Sequence, residues 1–182
     1  DENTGDVVAK GQGQGYEDES TWSRGHAWTI YGLAMAYRET GDARLLVGAH
    51  KASDYWRSNV PTDQVPYWDF DAPDIPAEPR DSSAAAIAAA AFVELGTLDP
   101  DPARRTEYLQ MARDTLESLA SPAYLSADPA FPAALDHGTY AYMLGMADHG
   151  VPWGDYYMAE AIGRLRTEVV RYAGPDRFGT AV

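Results

Sequence analysis

The 182-residue sequence contains no cysteine, which excludes a disulfide framework, a thiolate metal site and a cysteine nucleophile. It is also poor in positive charge: 14 Lys and Arg stand against 28 Asp and Glu, giving a net charge of −14. Counterion-release binding to nucleic acid or anionic lipid needs a clustered basic face, so no nucleic-acid or membrane partner is expected. Any anionic ligand must be held by a local arginine. No apolar run approaches the roughly 20 residues that span a bilayer, since the Ala-rich stretch 83–95 is too short and contains Glu94. The first six residues (Asp-Glu-Asn-Thr-Gly-Asp) lack an initiator Met, a basic segment and an apolar segment. They are no signal peptide, and the chain is expected to begin inside a longer one. His50 and His149 have no partner at metal-ligand spacing, so no metal site is expected.

What is present is helix signal. Residues up to Glu19 are Gly-rich and polar and read as a loop. Ser20-Thr21 offers an N-cap, Trp28, Tyr31, Leu33, Ala34 and Tyr37 follow at helical spacing, and Gly41 supplies a stop. Asp42 opens a second, amphipathic helix with Leu45, Ala49, Ala52 and Trp56 on one stripe. After a Pro-containing loop over 61–79, Asp81-Ser82-Ser83 caps a third helix whose alanines (84–91, with Ile87) present small apolar residues on every side, the pattern of a helix buried all round; Gly96 is expected to end it. Asp101-Pro102 starts a fourth helix, again amphipathic, and a last one is predicted over 154–172. Buried and amphipathic helices alternate in hairpins of about 60 residues, as in toroids and solenoids whose hairpins cover one another. The fold class is therefore all-α, with too few helices for more than half a closed toroid.

The chemistry-bearing segment is Gln14-Gly-Tyr-Glu-Asp-Glu-Ser-Thr-Trp22-Ser-Arg24-Gly25-His26-Ala-Trp28, running from the loop into the first helix. The helix dipole disfavours a cation at Arg24, so packing, a carboxylate partner or an anionic ligand must compensate. Trp rings can carry the apolar face of a sugar, and Arg pairs bidentately with a carboxylate. Together they describe a uronic-acid pocket. The alternative, favoured on composition alone, makes Trp22 and Trp28 core residues and Arg24 the partner of Glu17, Asp18 or Asp81.

This segment resembles the signature of unsaturated glucuronyl hydrolases, glycoside hydrolase family 88. Three further blocks agree in order: Val65-Pro66-Tyr67-Trp68-Asp69-Phe70, Arg80-Asp81-Ser82-Ser83-Ala84 and Trp153-Gly154-Asp155-Tyr156. The resemblance covers residues 1–182 as one domain, the C-terminal half of a six-hairpin α/α barrel, with the N-terminal half absent. It implies hydration of the C4=C5 double bond of a 4,5-unsaturated uronic acid at the non-reducing end of a lyase-generated oligosaccharide, without metal or cofactor. The aspartates important for protonation lie in the family's other half, so no catalytic residue is expected here. Gln14, Trp22, Arg24 and Trp28 match substrate-contacting positions, and His137 and Tyr140 resemble a block that reaches the pocket from the loop before the last helix. Asp81 reads first as an N-cap, and Trp68 and Asp69 as anchors of the long loop. Gly13 and His26 depart from the residues common at their positions. Unsaturated rhamnogalacturonyl hydrolases, which share the barrel, are the nearest alternative; a non-catalytic helical-repeat carbohydrate-binding protein is another. The missing half or a second copy is expected to cover the inner apolar face.

Overall fold

The structure, a computed structural model, describes residues 1–9, 11 and 13–172. Among the described residues five α-helices form: α1 (Ser23–Thr40), α2 (Ala43–Asn59), α3 (Ser82–Leu98), α4 (Pro102–Leu119) and α5 (Pro152–Tyr172). Among the described residues there are isolated β-bridges but no named strand.

The caps explain most boundaries. Asp42, Asp81 and Asp101 accept backbone amides at the starts of α2, α3 and α4, and Gly41 closes α1 in the left-handed region, donating its N–H to Tyr37 O at 2.8 Å. Two expectations fail. Ser20-Thr21 does not cap α1, whose preceding residue is Trp22; the Ser20 hydroxyl instead donates to Asp69 Oδ2 at 2.8 Å. Gly96 does not stop α3 but lies inside it, buried. A Cβ there would sit 2.6 Å from Leu109 Cγ, so this glycine lets α4 approach closely.

The helices build two layers. In the inner one α3 lies between α1 and α5, while α2 packs on α1 and α4 on α3. Every residue from Ser82 to Gly96 is buried, as the all-round apolar pattern of α3 requires. α1 is less covered than the alternation of buried and amphipathic helices implies: its buried residues are Ser23, Arg24, Ala27, Ile30 and Ala34, and Thr29 and Gly32 are exposed. The reason is position, because among the described residues only α3 has an inner neighbour on both sides. The core joins Ile30, Trp56, Ile87, Phe92 and Tyr108, with alanines allowing close helix approach. Toward the other end a charged network ties the inner layer: Glu94 of α3 accepts from Arg38 of α1 and Arg164 of α5, and Glu160 accepts from Arg164 and Tyr31.

Loops gather at the N-terminal ends of α1 and α3. Residues 66–70 run between them, with Trp68 O accepting from Ser23 N, Phe70 N donating to Thr21 O, and Pro66 O accepting from Asp81 N. The loop before α5 joins on the other side, where His137 O accepts from Ser82 N and Thr139 Oγ1 donates to Arg80 O.

Candidate functional site

Arg24, in the first turn of α1, is the centre of this end of the molecule. Its side chain is 3% exposed. One terminal nitrogen donates to Asp81 Oδ2 at 2.9 Å and to the Thr139 carbonyl. The other donates to Gln14 Oε1 at 2.9 Å and to the Tyr140 carbonyl at 2.6 Å. Acceptors from three segments, around Gln14, Asp81 and Thr139–Tyr140, therefore converge on one guanidinium. Of the three carboxylates weighed as its partner, the structure pairs it with Asp81.

Asp81 does two jobs with two oxygens. Oδ2 meets Arg24, while Oδ1 caps α3, accepting from Ser83 N and Ala84 N and, at 2.5 Å, from the Ser83 hydroxyl. Full burial pushes its carboxyl above the usual carboxylate range, opposed by the Arg24 charge and by those hydrogen bonds. Burial likewise lowers Arg24 below its ordinary value, with Asp81 opposing. The pair is desolvated on both sides, and its stability rests on hydrogen bonds as much as on charge.

Aromatic rings surround the pair. The guanidinium carbon lies 4.8 Å from the Trp22 ring centroid and 5.3 Å from that of Trp153. The exposed Tyr140 ring stands 5.6 Å from Trp153, whose Nε1 donates to Ser83 Oγ at 3.2 Å. Trp22 folds back over Gly25: a Cβ on Gly25 would come within 2.5 Å of Trp22 Cε3. Gly25 thus clears the space that lets the Trp ring reach Arg24.

Of the residues singled out by the sequence, Gln14, Trp22, Arg24 and Tyr140 come together. Trp28 lies one turn further along α1, its ring 4.9 Å from Tyr157 of α5 and 6.4 Å from Tyr31. Because Arg24 and Trp28 are four apart, as are Trp153 and Tyr157, the two helices face each other in successive layers. His137 contacts neither Arg24 nor Trp22 by hydrogen bond or ring; its side chain is exposed and pairs through Nδ1 with Asp148. Its φ of 61° turns the backbone so that the carbonyl meets α3. Trp153 is a site residue that the sequence does not announce: within Trp153-Gly154-Asp155-Tyr156 nothing signals that its ring reaches Arg24. Asp69, fully buried, accepts from Tyr16 N and the Ser20 hydroxyl and so pins the loop that carries Gln14.

Chemically, the arrangement is a shielded cation with one neutral, exchangeable partner. Gln14 is exposed, and its amide oxygen is a weaker acceptor than a carboxylate would be at the same nitrogen. Asp81, the nearest carboxyl, is sealed from solvent with both oxygens engaged. Among the described residues no group of three or more His, Asp and Glu could hold a metal ion.

No family model matches the chain. It is 38% identical over 172 residues to the unsaturated glucuronyl hydrolase of Formosa agariphila, covering 92% of this chain and 42% of that protein. The solved structure of the unsaturated glucuronyl hydrolase of Bacillus sp. GL1, responsible for the degradation of glycosaminoglycan, matches with a TM-score of 0.83 at 37% identity, over 93% of this chain and 45% of that one. A variant of the Streptococcus agalactiae unsaturated glucuronyl hydrolase complexed with dGlcA-GalNAc6S matches with a TM-score of 0.77 at 36% identity, over 90% and 44%. The chain spans less than half the length of each of these relatives.

Proposed function

The chain is related in sequence and fold to the unsaturated glucuronyl hydrolases, with the architecture of about half an α/α barrel, and we propose that it supplies the uronate-binding, C-terminal half of such an enzyme. The reaction is hydration of the C4=C5 bond of an unsaturated uronic acid at the non-reducing end of an oligosaccharide; the hydrated sugar then opens and releases the remainder. A carboxylic acid must protonate the enol-ether carbon and a water must be deprotonated. Sealed as it is, Asp81 is a poor candidate, so the complementary half of the barrel supplies the acid.

One observation carries this reading: Gln14, Trp22, Arg24 and Tyr140, residues matching substrate positions or resembling a pocket block, converge around one guanidinium at the N-terminal end of the inner helices. The substrate carboxylate takes the place of Gln14 Oε1 on Arg24, exchanging a neutral acceptor for a charged one. Gln14, thus freed, turns to a sugar hydroxyl, while Trp28 lines the deeper wall and Tyr140 with His137 the rim.

The test is a chimera in which residues 1–182 replace the matching half of the Bacillus sp. GL1 relative. Hydration is followed as loss of the ultraviolet absorbance of the C4=C5 bond in an unsaturated glucuronyl disaccharide. The chimera is expected to turn over and residues 1–182 alone to be inert. A folded chimera without turnover, or activity in the isolated chain, refutes the assignment.

A further inference from the structure

Residues 139–146 form a short tongue beside Arg24, closed by mutual backbone hydrogen bonds between Ala141 and Met146 (3.0 and 3.1 Å) and turned by Gly145 in the left-handed region. Its root supplies the Thr139 and Tyr140 carbonyls to Arg24. Met143 and Leu144 at the tip are exposed, so apolar burial there does not hold it down. Tyr142 does. Its ring stacks on that of Trp68 with centroids 4.2 Å apart and planes 14° from parallel. Trp68 is fully buried: its Nε1 donates to Glu78 Oε2 at 2.8 Å, and its carbonyl accepts from the N–H of Ser23, the residue before Arg24. Glu78 Oε1 also accepts from Asp74 N at 3.4 Å. The Glu78 charge, then burial and a hydrogen bond between the two side chains, raise the Tyr142 pKa and keep that hydroxyl a donor. One carboxylate therefore orients both rings of the stack.

The consequence falls on Arg24. Its Nη2 carries two hydrogens, one given to Gln14 Oε1 at 2.9 Å and one to the Tyr140 carbonyl at 2.6 Å. While the tongue is seated the carbonyl keeps its hydrogen, and an incoming carboxylate can take only the place of the exposed Gln14. If the tongue lifts, the second hydrogen goes to water or offers the carboxylate another register, and the ordering that the fold had supplied must be supplied on binding. We propose that Glu78 is a positioning residue for the uronate site, which through Trp68 and Tyr142 seats the tongue and leaves Arg24 one exchangeable donor. This rests on the reading that Arg24 binds the substrate carboxylate. Glu78 itself, 7% exposed and engaged with Trp68, does not touch substrate.

The test uses the chimera with the Bacillus sp. GL1 relative and an unsaturated glucuronyl disaccharide. Glu78→Ala is expected to raise KM about fivefold or more, the worth of one hydrogen bond, with kcat unchanged, since binding is lost equally from ground and transition states. Glu78→Gln retains an acceptor for Trp68 and should restore KM to near the wild-type value. A purely structural role for Glu78 would lower the melting temperature and leave the KM of the folded enzyme where it was; that result overturns the proposal, as does a fall in kcat alone. Should Glu78→Ala not fold, Tyr142→Ala decides in its place, because Tyr142 is 36% exposed and its loss opens no closed cavity; an unchanged KM again overturns the proposal. A second measurement needs no substrate. In residues 1–182, amide exchange at Ala141 and Met146, whose N–H groups close the tongue, should accelerate about tenfold or more in either variant. Unchanged exchange overturns the seating of the tongue even where KM has risen. If the chimera folds without turnover, the uronate reading falls, while faster exchange at these two amides still supports the seating by Glu78.

Discussion

Replacing Arg24 by Lys keeps the charge and removes the fork. A lysine ammonium places its donors at one point, so it can meet Asp81 Oδ2 but cannot also span to Gln14 Oε1 and the Tyr140 carbonyl, now held at 2.9 and 2.6 Å from the second nitrogen. Gln14 and Tyr140 are exposed and rehydrate at little cost, whereas the Thr139 carbonyl is buried and shares its Arg24 nitrogen with Asp81; a lysine chain ends one atom short of that nitrogen, so its ammonium holds Asp81 only by drawing away from this carbonyl. Leaving that acceptor unsatisfied costs about 1–3 kcal/mol. A chain of this size shifts by about 2–4 °C per kcal/mol, so the melting temperature should fall by about 2–12 °C. Arg24→Met goes further, because it strands Asp81 without its counter-charge, and breaking a buried pair this way costs about 3–5 kcal/mol. Burial already raises the Asp81 pKa, and losing Arg24 raises it more. The sign follows: an acid with a raised folded pKa is most favourable to the fold when protonated and loses that contribution as pH rises through the folded value. The deficit of Arg24→Met relative to wild type should therefore shrink on acidification, and Asp81→Asn combined with Arg24→Met should be less damaging than the two separate costs added. Differential scanning calorimetry from neutral to mildly acid pH reads all of this. If Arg24→Lys melts with the wild type, the Arg24 clasp is not what holds these three segments to α1.

Gly25→Ala should push Trp22 off its seat and, as overpacking against that ring, cost about 1–3 kcal/mol; in the chimera, substrate affinity should fall with it, whereas an unchanged dissociation constant would separate the ring from binding. Gly96→Ala places a methyl into Leu109 and should lower stability by a similar amount, about 1–3 kcal/mol, without altering affinity; denaturant titration beside a binding isotherm checks both halves. His26 has its pKa lowered by burial, with its Nε2 against the Ala52 carbonyl at 2.8 Å. Its neutral form is the one the fold prefers, so stability is present above about pH 6.5 and is lost as pH falls through the depressed folded value. His26→Gln, which retains a donor for Ala52, should flatten that limb of the melting profile; an unchanged slope would assign it to other groups.

Much of the fold can be read along the chain because its causes are local. A capping Asp at 42, 81 or 101 satisfies amides two or three residues ahead, Gly41 adopts a conformation other residues avoid, and the alanines of α3 declare burial on every side whatever lies around them. The motif from Gln14 to Trp28 is legible for the same reason, as a run of residue types at fixed spacing. Gly96 and Ser20 mark where such signals mislead: the features that normally end or cap a helix also suit close packing and a distant carboxylate, and only the neighbours Leu109 and Asp69 decide between these uses.

The partner of Arg24 lay beyond any local signal. Glu17, Asp18 and Asp81 were all chemically suitable, and two of them were closer in sequence; the choice fell to Asp81, 57 residues away, because α1 and α3 pack side by side with their N-termini level. The Thr139 and Tyr140 carbonyls, more than 100 residues away, and the Trp153 ring arrive only because the last loop and α5 close on the other flank of α3. Sequence alone settled that a lone arginine sits between two tryptophans at the start of an inner helix. Whether its charge meets solvent, a sugar or a buried carboxylate depended on which surfaces came together, since desolvation and hydrogen-bond geometry are properties of the packed helices and not of the order of residues.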